Sequence, residues 1–174
     1  IKSLRKKNYK NSIILIASHN LVKLQLKKLN YKIKINFLNL KNLNSKYFKN
    51  NEINLINVSY SPKKAFEKIS SKFKKYLDNC FNLALKLIKS GFSNKFINGP
   101  ISKKNFLDKK YLGITEYISK KIKKKKFAML IYNKELSVCP LTTHLPLKKV
   151  SKFISRKNIF EKVNLIKSFF KKYR

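Results

Sequence analysis

The chain has 174 residues, enough for one domain with a packed core and too few for two ordinary domains. Hydrophobic residues make up 43% of it, yet no apolar run approaches the ~20 residues that a membrane-spanning helix requires. Lys and Arg total 43 against 7 acidic residues, a formal net charge of +36 that raises nucleic-acid binding as a first hypothesis.

The first part of the chain predicts strands that alternate with helical segments. Short apolar, β-branched runs are typical of buried parallel strands, and polar-apolar alternation is typical of a half-exposed strand. In chain order we expect a buried strand at 12–17, a helix starting at His19 and Asn20 and running to Leu29, a half-exposed strand at 32–37, a loop at 39–51 and a strand at 53–58.

The strongest helical signal lies between Pro62 and Gly91. Apolar residues recur there at three- and four-residue steps, Pro62 stands ahead of them, and Gly91 is suited to end the helix. The inward positions that this spacing predicts are Phe66, Ile69, Phe73, Leu77, Cys80, Phe81, Ala84 and Ile88.

The remainder predicts shorter elements, with a solvated turn at the charge run 123–126. They are a brief strand at 95–98, a helix at 113–121, strands at 127–132 and 136–141 joined by a turn at Asn133 and Lys134, a short helix opened by Pro146, and a last helix at 159–170 with Val163, Ile166, Phe169 and Phe170 inward. Strands separated by helices predict an α/β layered fold, with a largely parallel sheet flanked by helices. Because the chain starts with Ile1 instead of Met, we expect residues 1–174 to be a single incomplete α/β unit of a larger protein.

The residues by themselves offer no self-contained catalytic motif. The only glycines, Gly91, Gly99 and Gly113, do not stand at the G-x-G spacing of a dinucleotide-binding loop. Neither paired carboxylates nor a Cys-His nucleophile arrangement is visible, and two histidines alone make a poor metal site. Cys80 and Cys139 lie far apart, and we interpret them as buried thiols in a reducing cytoplasm.

Polar segments at strand ends are the candidates for chemistry, because ligands of open α/β sheets gather at the carboxyl ends of strands. The segment 98–103 follows a predicted strand, 113–116 opens a predicted helix, and 141–146 follows another predicted strand.

These segments, in this order, resemble the 4-hydroxythreonine-4-phosphate dehydrogenase family. The family pattern runs roughly T-G-P-[IV]-x-K, then G-H-T-E, then a strand pair with M-M-L and L-R-V, then T-T-H-L-P-L. This chain has N-G-P-I-S-K at 98–103, G-I-T-E at 113–116, A-M-L at 128–130, L-S-V at 136–138 and an intact T-T-H-L-P-L at 142–147. Residues 150–154 and the last helix also match, so the resemblance covers roughly the second half.

The resemblance implies a two-domain α/β fold related to isocitrate and isopropylmalate dehydrogenases, a homodimer, NAD as hydride acceptor and a divalent metal cation (Zn, Mg or Co) at the substrate. The family oxidises the C3 alcohol of 4-phosphooxy-L-threonine to a β-keto acid that loses carbon dioxide, a step of pyridoxal 5'-phosphate biosynthesis. We therefore expect a cytoplasmic enzyme acting on a small phosphorylated hydroxy amino acid, with no membrane partner.

The resemblance also implies roles for individual residues. His144 falls on a metal-ligand histidine, and Thr115 falls on a substrate-binding threonine whose hydroxyl can hold a phosphate or carboxylate oxygen. Lys103 matches the patterned lysine and would supply positive charge as a catalytic residue. Ile114 replaces the family histidine at the substrate, and its side chain can neither donate nor accept a hydrogen bond. The cofactor-binding residues stay unassigned.

Other family segments lie outside the chain. The glycine-rich G-[DE]-P-x-G-I-G-P segment is expected before Ile1, and N-P-H-A-G-E and Y-H-D-Q-G, which carry the other metal histidines, beyond Arg174. We expect this piece alone to bind metal poorly and to be inactive.

Simpler interpretations exist for the same residues. Without the resemblance, His144 would be a capping or structural histidine before a proline turn, and Thr115 and Glu116 would cap a helix. His19 has no matching motif and is interpreted as a helix-start or surface residue.

Three alternative functions stay open: a related dehydrogenase of phosphorylated threonate, a basic nucleic-acid-binding module, and a decayed, inactive copy. Nucleic-acid binding is the weaker hypothesis, because Arg, the residue favoured for bidentate phosphate and base contacts, occurs only at positions 5, 156 and 174. The lysines are spread along the whole chain, as expected for compositional bias on solvated faces.

Overall fold

The computed structural model describes residues 12–67, 70–107, 110–124 and 126–173. They belong to two compact units, the first ending at Ile101 and the second beginning at Ser102. All the named strands lie in the first unit, whereas the second is mainly helical.

The first unit is built on a three-stranded parallel sheet in the order β1-β3-β2. The strands are β1 (Ile14–Ala17), β2 (Ile35–Phe37) and β3 (Ile53–Asn57). Successive strand residues point to opposite faces, and residues 53 to 56 of β3 are all buried, so the central strand is covered on both faces. The strands predicted in this part of the chain and the parallel sheet are confirmed.

Helix α1 (His19–Lys28) packs on one face of this sheet. The Ser18 hydroxyl caps it by accepting a hydrogen bond from the Leu21 N–H at 3.3 Å. Val22 and Leu26 form a core cluster with the strand residues Ile53 and Leu55. The predicted helix start at His19 is confirmed.

Helix α2 (Ser71–Lys89) begins later than predicted. The Ser70 hydroxyl accepts from the Phe73 N–H at 3.3 Å, and this cap fixes the start of the helix. Phe66 therefore lies ahead of the helix with 63% of its surface exposed, and its predicted inward position is wrong. Ile69 lies outside the described residues.

The rest of α2 follows the predicted pattern. Phe81 and Ala84 are buried, together with Tyr76, which lies on the same face. Ser90 caps the end of the helix, and Gly91 adopts φ +77°, a left-handed conformation that glycine tolerates. The predicted helix end is confirmed.

Two connecting segments of the first unit differ from the prediction in their secondary structure. The predicted loop at 39–51 contains two short 3₁₀ helices, Leu40–Asn42 and Ser45–Tyr47. The predicted strand at 95–98 is wrong, because these residues are not assigned to a strand and Ile97 is 84% exposed. Its apolar residues do not enter the sheet, whose three strands are all upstream.

The second unit contains four helices among its described residues. They are α3 (Lys103–Phe106), α4 (Ile114–Lys121), α5 (Leu147–Phe153) and α6 (Arg156–Tyr173). Helices were predicted at α4, α5 and α6, and these are confirmed. No described helix in either unit combines the length and the apolar content that crossing a bilayer demands.

The predicted strand pair at 127–132 and 136–141 is reduced to one antiparallel bridge. Ile131 and Val138 exchange both backbone hydrogen bonds, at 2.8 and 2.9 Å. The predicted turn is present, with the Ser137 hydroxyl donating to the Asn133 carbonyl at 3.0 Å. Residues 131–138 are exposed, so no packing against other elements stabilises a longer strand pair. The two strand predictions are therefore wrong.

Helix α6 presents a different face from the one predicted. Ile166 and Phe170 are half-buried as expected, but Val163 and Phe169 are 52% and 51% exposed, so their predicted inward position is wrong. The packed side instead includes Lys162, whose ammonium group donates to the Phe127 carbonyl at 2.6 Å.

Candidate functional site

The start of α4 carries the segment that matches G-H-T-E. Gly113 is the N-cap, and Ile114, Thr115 and Glu116 form the first turn. An aromatic cluster holds this helix in place: the Tyr117 ring lies 5.1 Å from the Phe106 ring and 5.3 Å from the Tyr111 ring, both edge-on. Ile114, Thr115 and Glu116 are half-buried, so the turn is only partly open to solvent.

His144 lies in the loop ahead of α5, for which Pro146 is the N-cap. Its backbone has φ +58°, in the left-handed region that few non-glycine residues adopt and that is often found at functional sites. Because residues 136–141 form no strand, the expected position of His144 directly after a strand end is wrong. The Asn98 to Ser102 stretch likewise does not follow a strand, and the unit boundary falls within it, after Ile101.

The fold nevertheless brings His144 to the start of α4. A β-carbon placed on Gly113 would lie 3.7 Å from Nε2 of His144 and 2.8 Å from Oε2 of Glu116. The imidazole and the carboxylate therefore approach one point beside the turn that carries Ile114 and Thr115. This juxtaposition joins the G-I-T-E and T-T-H-L-P-L segments in a single site.

Lys103 is the first residue of α3 and is exposed. Phe106, at the other end of the same short helix, contacts Tyr117 of α4 through its ring. Lys103 therefore stands on an element that packs against the helix carrying Thr115.

Sequence reasoning gave little weight to Gly113 and Glu116. Glu116 was interpreted as a possible helix cap, yet its Oε2 is buried and has no hydrogen-bond partner among the described residues. A glycine directly before a helix, with an acid three positions later, is the sequence pattern that could indicate these two residues. This pattern does not reveal that a histidine 28 positions beyond Glu116 approaches the same point.

The cysteines contribute no reactive group to this site. Both are free and half-buried, and burial raises the pKa of the Cys80 thiol to about 11. Cys80 is thus protonated at neutral pH, and its neighbour Tyr76 also has a pKa raised by burial. Cys80 and Cys139, both half-buried, are therefore less buried than predicted.

The donor atoms near Gly113 are of types that divalent cations accept, namely an imidazole nitrogen and a carboxylate oxygen. Within the described ranges, however, no group of three or more His, Cys, Asp and Glu side chains is close enough to hold a metal ion. His144 fits as one member of a ligand set that would need further groups.

A groove elsewhere in the second unit is not this site. Its volume is about 140 Å³, below the usual size of a ligand pocket. It is lined by Lys126, Phe127, Leu141, Phe153, Asn158, Glu161, Lys162 and Leu165. None of the predicted site residues is among them, so the groove is not evidence for a function.

The first unit has a parallel sheet with flanking helices, and the second unit places His144 beside the helix start that carries Thr115. These features define an α/β protein, as the motifs predicted. The family model described as "Pyridoxal phosphate biosynthetic protein PdxA" matches residues 9–174. The chain therefore belongs to the PdxA family, and the resemblance drawn from its motifs is confirmed.

Individual relatives carry the corresponding enzyme name. A 4-hydroxythreonine-4-phosphate dehydrogenase of Aquifex aeolicus is 42% identical over 65 residues, covering 37% of this chain and 20% of that protein. One from Sulfurihydrogenibium sp. is 36% identical over 98 residues, covering 55% of this chain and 29% of that protein.

A solved structure shares the fold. The 4-hydroxythreonine-4-phosphate dehydrogenase of Klebsiella pneumoniae matches with a TM-score of 0.76 at 17% identity, over 91% of this chain and 49% of that one. This chain thus spans about half the length of that solved relative.

Proposed function

We propose that this chain is part of an NAD-dependent, metal-assisted dehydrogenase that oxidises 4-phosphooxy-L-threonine to a β-keto acid, which then loses carbon dioxide. The observation that carries the proposal is the family match over residues 9–174, within which T-T-H-L-P-L is intact. The names of the curated relatives support the same activity.

Different residues would bind the metal and the substrate. His144 would ligate the metal through a ring nitrogen, and the Thr115 hydroxyl would hold a phosphate or carboxylate oxygen of the substrate. Lys103 would add positive charge for the anionic substrate. A bound divalent cation would polarise the alcohol oxygen and the new carbonyl.

Ile114 is the residue that puts the exact substrate in question. The family pattern has histidine here, and the isoleucine side chain offers no hydrogen bond to a substrate. A related activity on phosphorylated threonate is therefore the second candidate, since that substrate presents a different set of polar groups beside its phosphate.

The test is an absorbance assay of NADH formation by the protein expressed from its complete reading frame. We expect turnover with 4-phosphooxy-L-threonine in the presence of Zn, Mg or Co, and loss of turnover after chelation of the metal. Phosphorylated threonate is assayed in parallel. Turnover with neither substrate would contradict the proposal.

A matched pair of variants assigns the metal role. His144→Asn keeps a residue type that tolerates the left-handed backbone and should abolish turnover, because it removes the imidazole. His19→Asn changes the other histidine, which starts α1 and packs edge-on against the Phe37 ring at 4.9 Å, and should retain turnover. Equal activity of both variants would exclude His144 as an essential ligand.

We also propose that the enzyme works as a homodimer in the cytoplasm and has no nucleic-acid or membrane partner. Exposed apolar side chains in the second unit, such as Phe160 at 63% and Leu136 at 71%, are compatible with a protein contact. Light scattering of the purified protein measures the oligomeric state.

A further inference from the structure

Glu116 has a buried oxygen without a partner. Its Oε2 atom is shielded from solvent and makes no hydrogen bond to any described residue. Burying a carboxylate oxygen without a hydrogen bond is unfavourable, and buried polar atoms in native proteins are nearly always paired. A donor for this oxygen is therefore to be sought among its neighbours.

Helix capping does not account for the position of this oxygen. An acid in the first turn of α4 is favoured by the helix dipole, but a capping carboxylate accepts hydrogen bonds or faces solvent. An ion pair with the lysine one turn later does not account for it either. The Lys120 ammonium group lies over the Tyr111 ring, 5.5 Å from its centroid.

Among the described residues, His144 is a neighbour that can supply a donor. Its Nε2 atom and the Glu116 Oε2 lie 3.7 and 2.8 Å from one point, the place of the missing β-carbon of Gly113. Gly113 has no β-carbon, so both atoms can approach this point. The left-handed backbone of His144, with φ +58°, is a feature that the surrounding structure must hold in place.

We propose that Glu116 is a positioning residue for His144, with its Oε2 accepting a hydrogen bond from the Nε2–H of the imidazole. A neutral imidazole carries one proton, so a proton held on Nε2 leaves the lone pair of Nδ1 free. Carboxylates commonly orient metal-ligating histidines in this way. The use of Nδ1 as a metal ligand rests on the proposed function, whereas the contact between Glu116 and His144 does not.

The test is a long-range ¹H–¹⁵N NMR spectrum of the ¹⁵N-labelled full chain, without added metal, at a pH well above the ordinary imidazole pKa of about 6.5. His19 and His144 are the only histidines, and His144→Asn assigns their signals. His144 is exposed, and we expect it to show a single tautomer with the proton on Nε2.

Variants then separate positioning from a general structural role. Glu116→Ala should shift the His144 nitrogens toward a mixture of tautomers, while the His19 signals stay unchanged. Glu116→Gln keeps the shape with an uncharged, weaker acceptor and should cause a smaller change in the same direction. Glu135→Ala removes an exposed carboxylate of the same unit and should leave His144 as in the wild type.

Gly113→Ala provides an independent perturbation. Its β-carbon would lie 2.8 Å from the Glu116 Oε2 and would displace the carboxylate without removing it, so the His144 spectrum should change as in Glu116→Gln. Unchanged His144 signals in folded Glu116→Gln and Gly113→Ala, or a wild-type proton on Nδ1, would overturn the proposal. Folding is checked by circular dichroism, and an unfolded Glu116→Ala leaves the decision to these two variants.

The outcome is separable from that of the enzymatic assay. A protein that forms no NADH but shows the tautomer shift would retain the contact between Glu116 and His144 and lose the dehydrogenase assignment. A protein that forms NADH but shows an unaltered His144 spectrum in every variant would retain the dehydrogenase assignment and lose the contact between Glu116 and His144.

Discussion

The two units of the chain bury their apolar side chains to very different degrees. In the first unit Leu55 is 0% exposed and Ile56 1%, because helices or loops cover both faces of β3. In the second unit Leu147 is 88% exposed and Phe160 63%. The stable framework therefore lies in the sheet, whereas the candidate site belongs to the part with the less complete core.

The largest effect is expected for Leu55→Ala, at the centre of the sheet. Removing this fully buried side chain should lower the free energy of unfolding by about 2–5 kcal/mol, since it loses burial and leaves a cavity. Native-state hydrogen exchange of the β3 amides measures the loss. Leu147→Ala makes the same chemical change at an exposed position of the second unit and should cost less than about 0.5 kcal/mol. Equal losses would refute the contrast between the units.

A smaller effect is expected for Tyr76→Phe, which removes one hydroxyl from the first unit. The Tyr76 oxygen accepts from the buried Ser18 N–H at 2.9 Å, so the variant leaves this donor unpaired at a cost of about 1–3 kcal/mol. Urea denaturation followed by circular dichroism reports the change. Tyr132→Phe, at a ring that is 62% exposed, is the matched control and should be neutral. A neutral Tyr76→Phe would show that water reaches Ser18.

The smallest effect is expected for Phe169→Ser on the exposed side of α6. Phe169 is 51% exposed and its ring lies 5.6 Å from that of Phe170 and 5.1 Å from that of Tyr173, so its loss should lower the free energy of unfolding by about 0.5–1.5 kcal/mol. Phe81→Ser, the same replacement on the buried side of α2, should cost several times more. A large loss for Phe169→Ser in the same denaturation experiment would mean that another chain covers this face in solution.

The same contrast between the units explains which strands the sequence predicted correctly. The segments at 12–17 and 53–58 predicted strands correctly, because Ile, Leu and Val dominate them and such side chains suit a sheet. The runs at 95–98 and 127–132 look similar but do not form strands. Pairing depends on a neighbouring strand, which local sequence does not specify.

Side-chain orientation was also harder to predict in the second unit. Apolar spacing on α6 indicated Val163 and Phe169 as inward, yet apolar periodicity marks a face that can be buried, not the partner that buries it. The site shows the same limit: T-T-H-L-P-L indicated His144 as a candidate, but its approach to Gly113 and Glu116 arises from tertiary packing.

The lysines that lie over aromatic rings bear on the high formal charge. The ammonium groups of Lys121 and Lys162 sit 5.3 Å from the ring centres of Tyr117 and Phe127, where the ring face attracts a cation. A side chain held in this way must leave its ring before it can meet a polyanion. Part of the positive charge thus tethers the second unit internally.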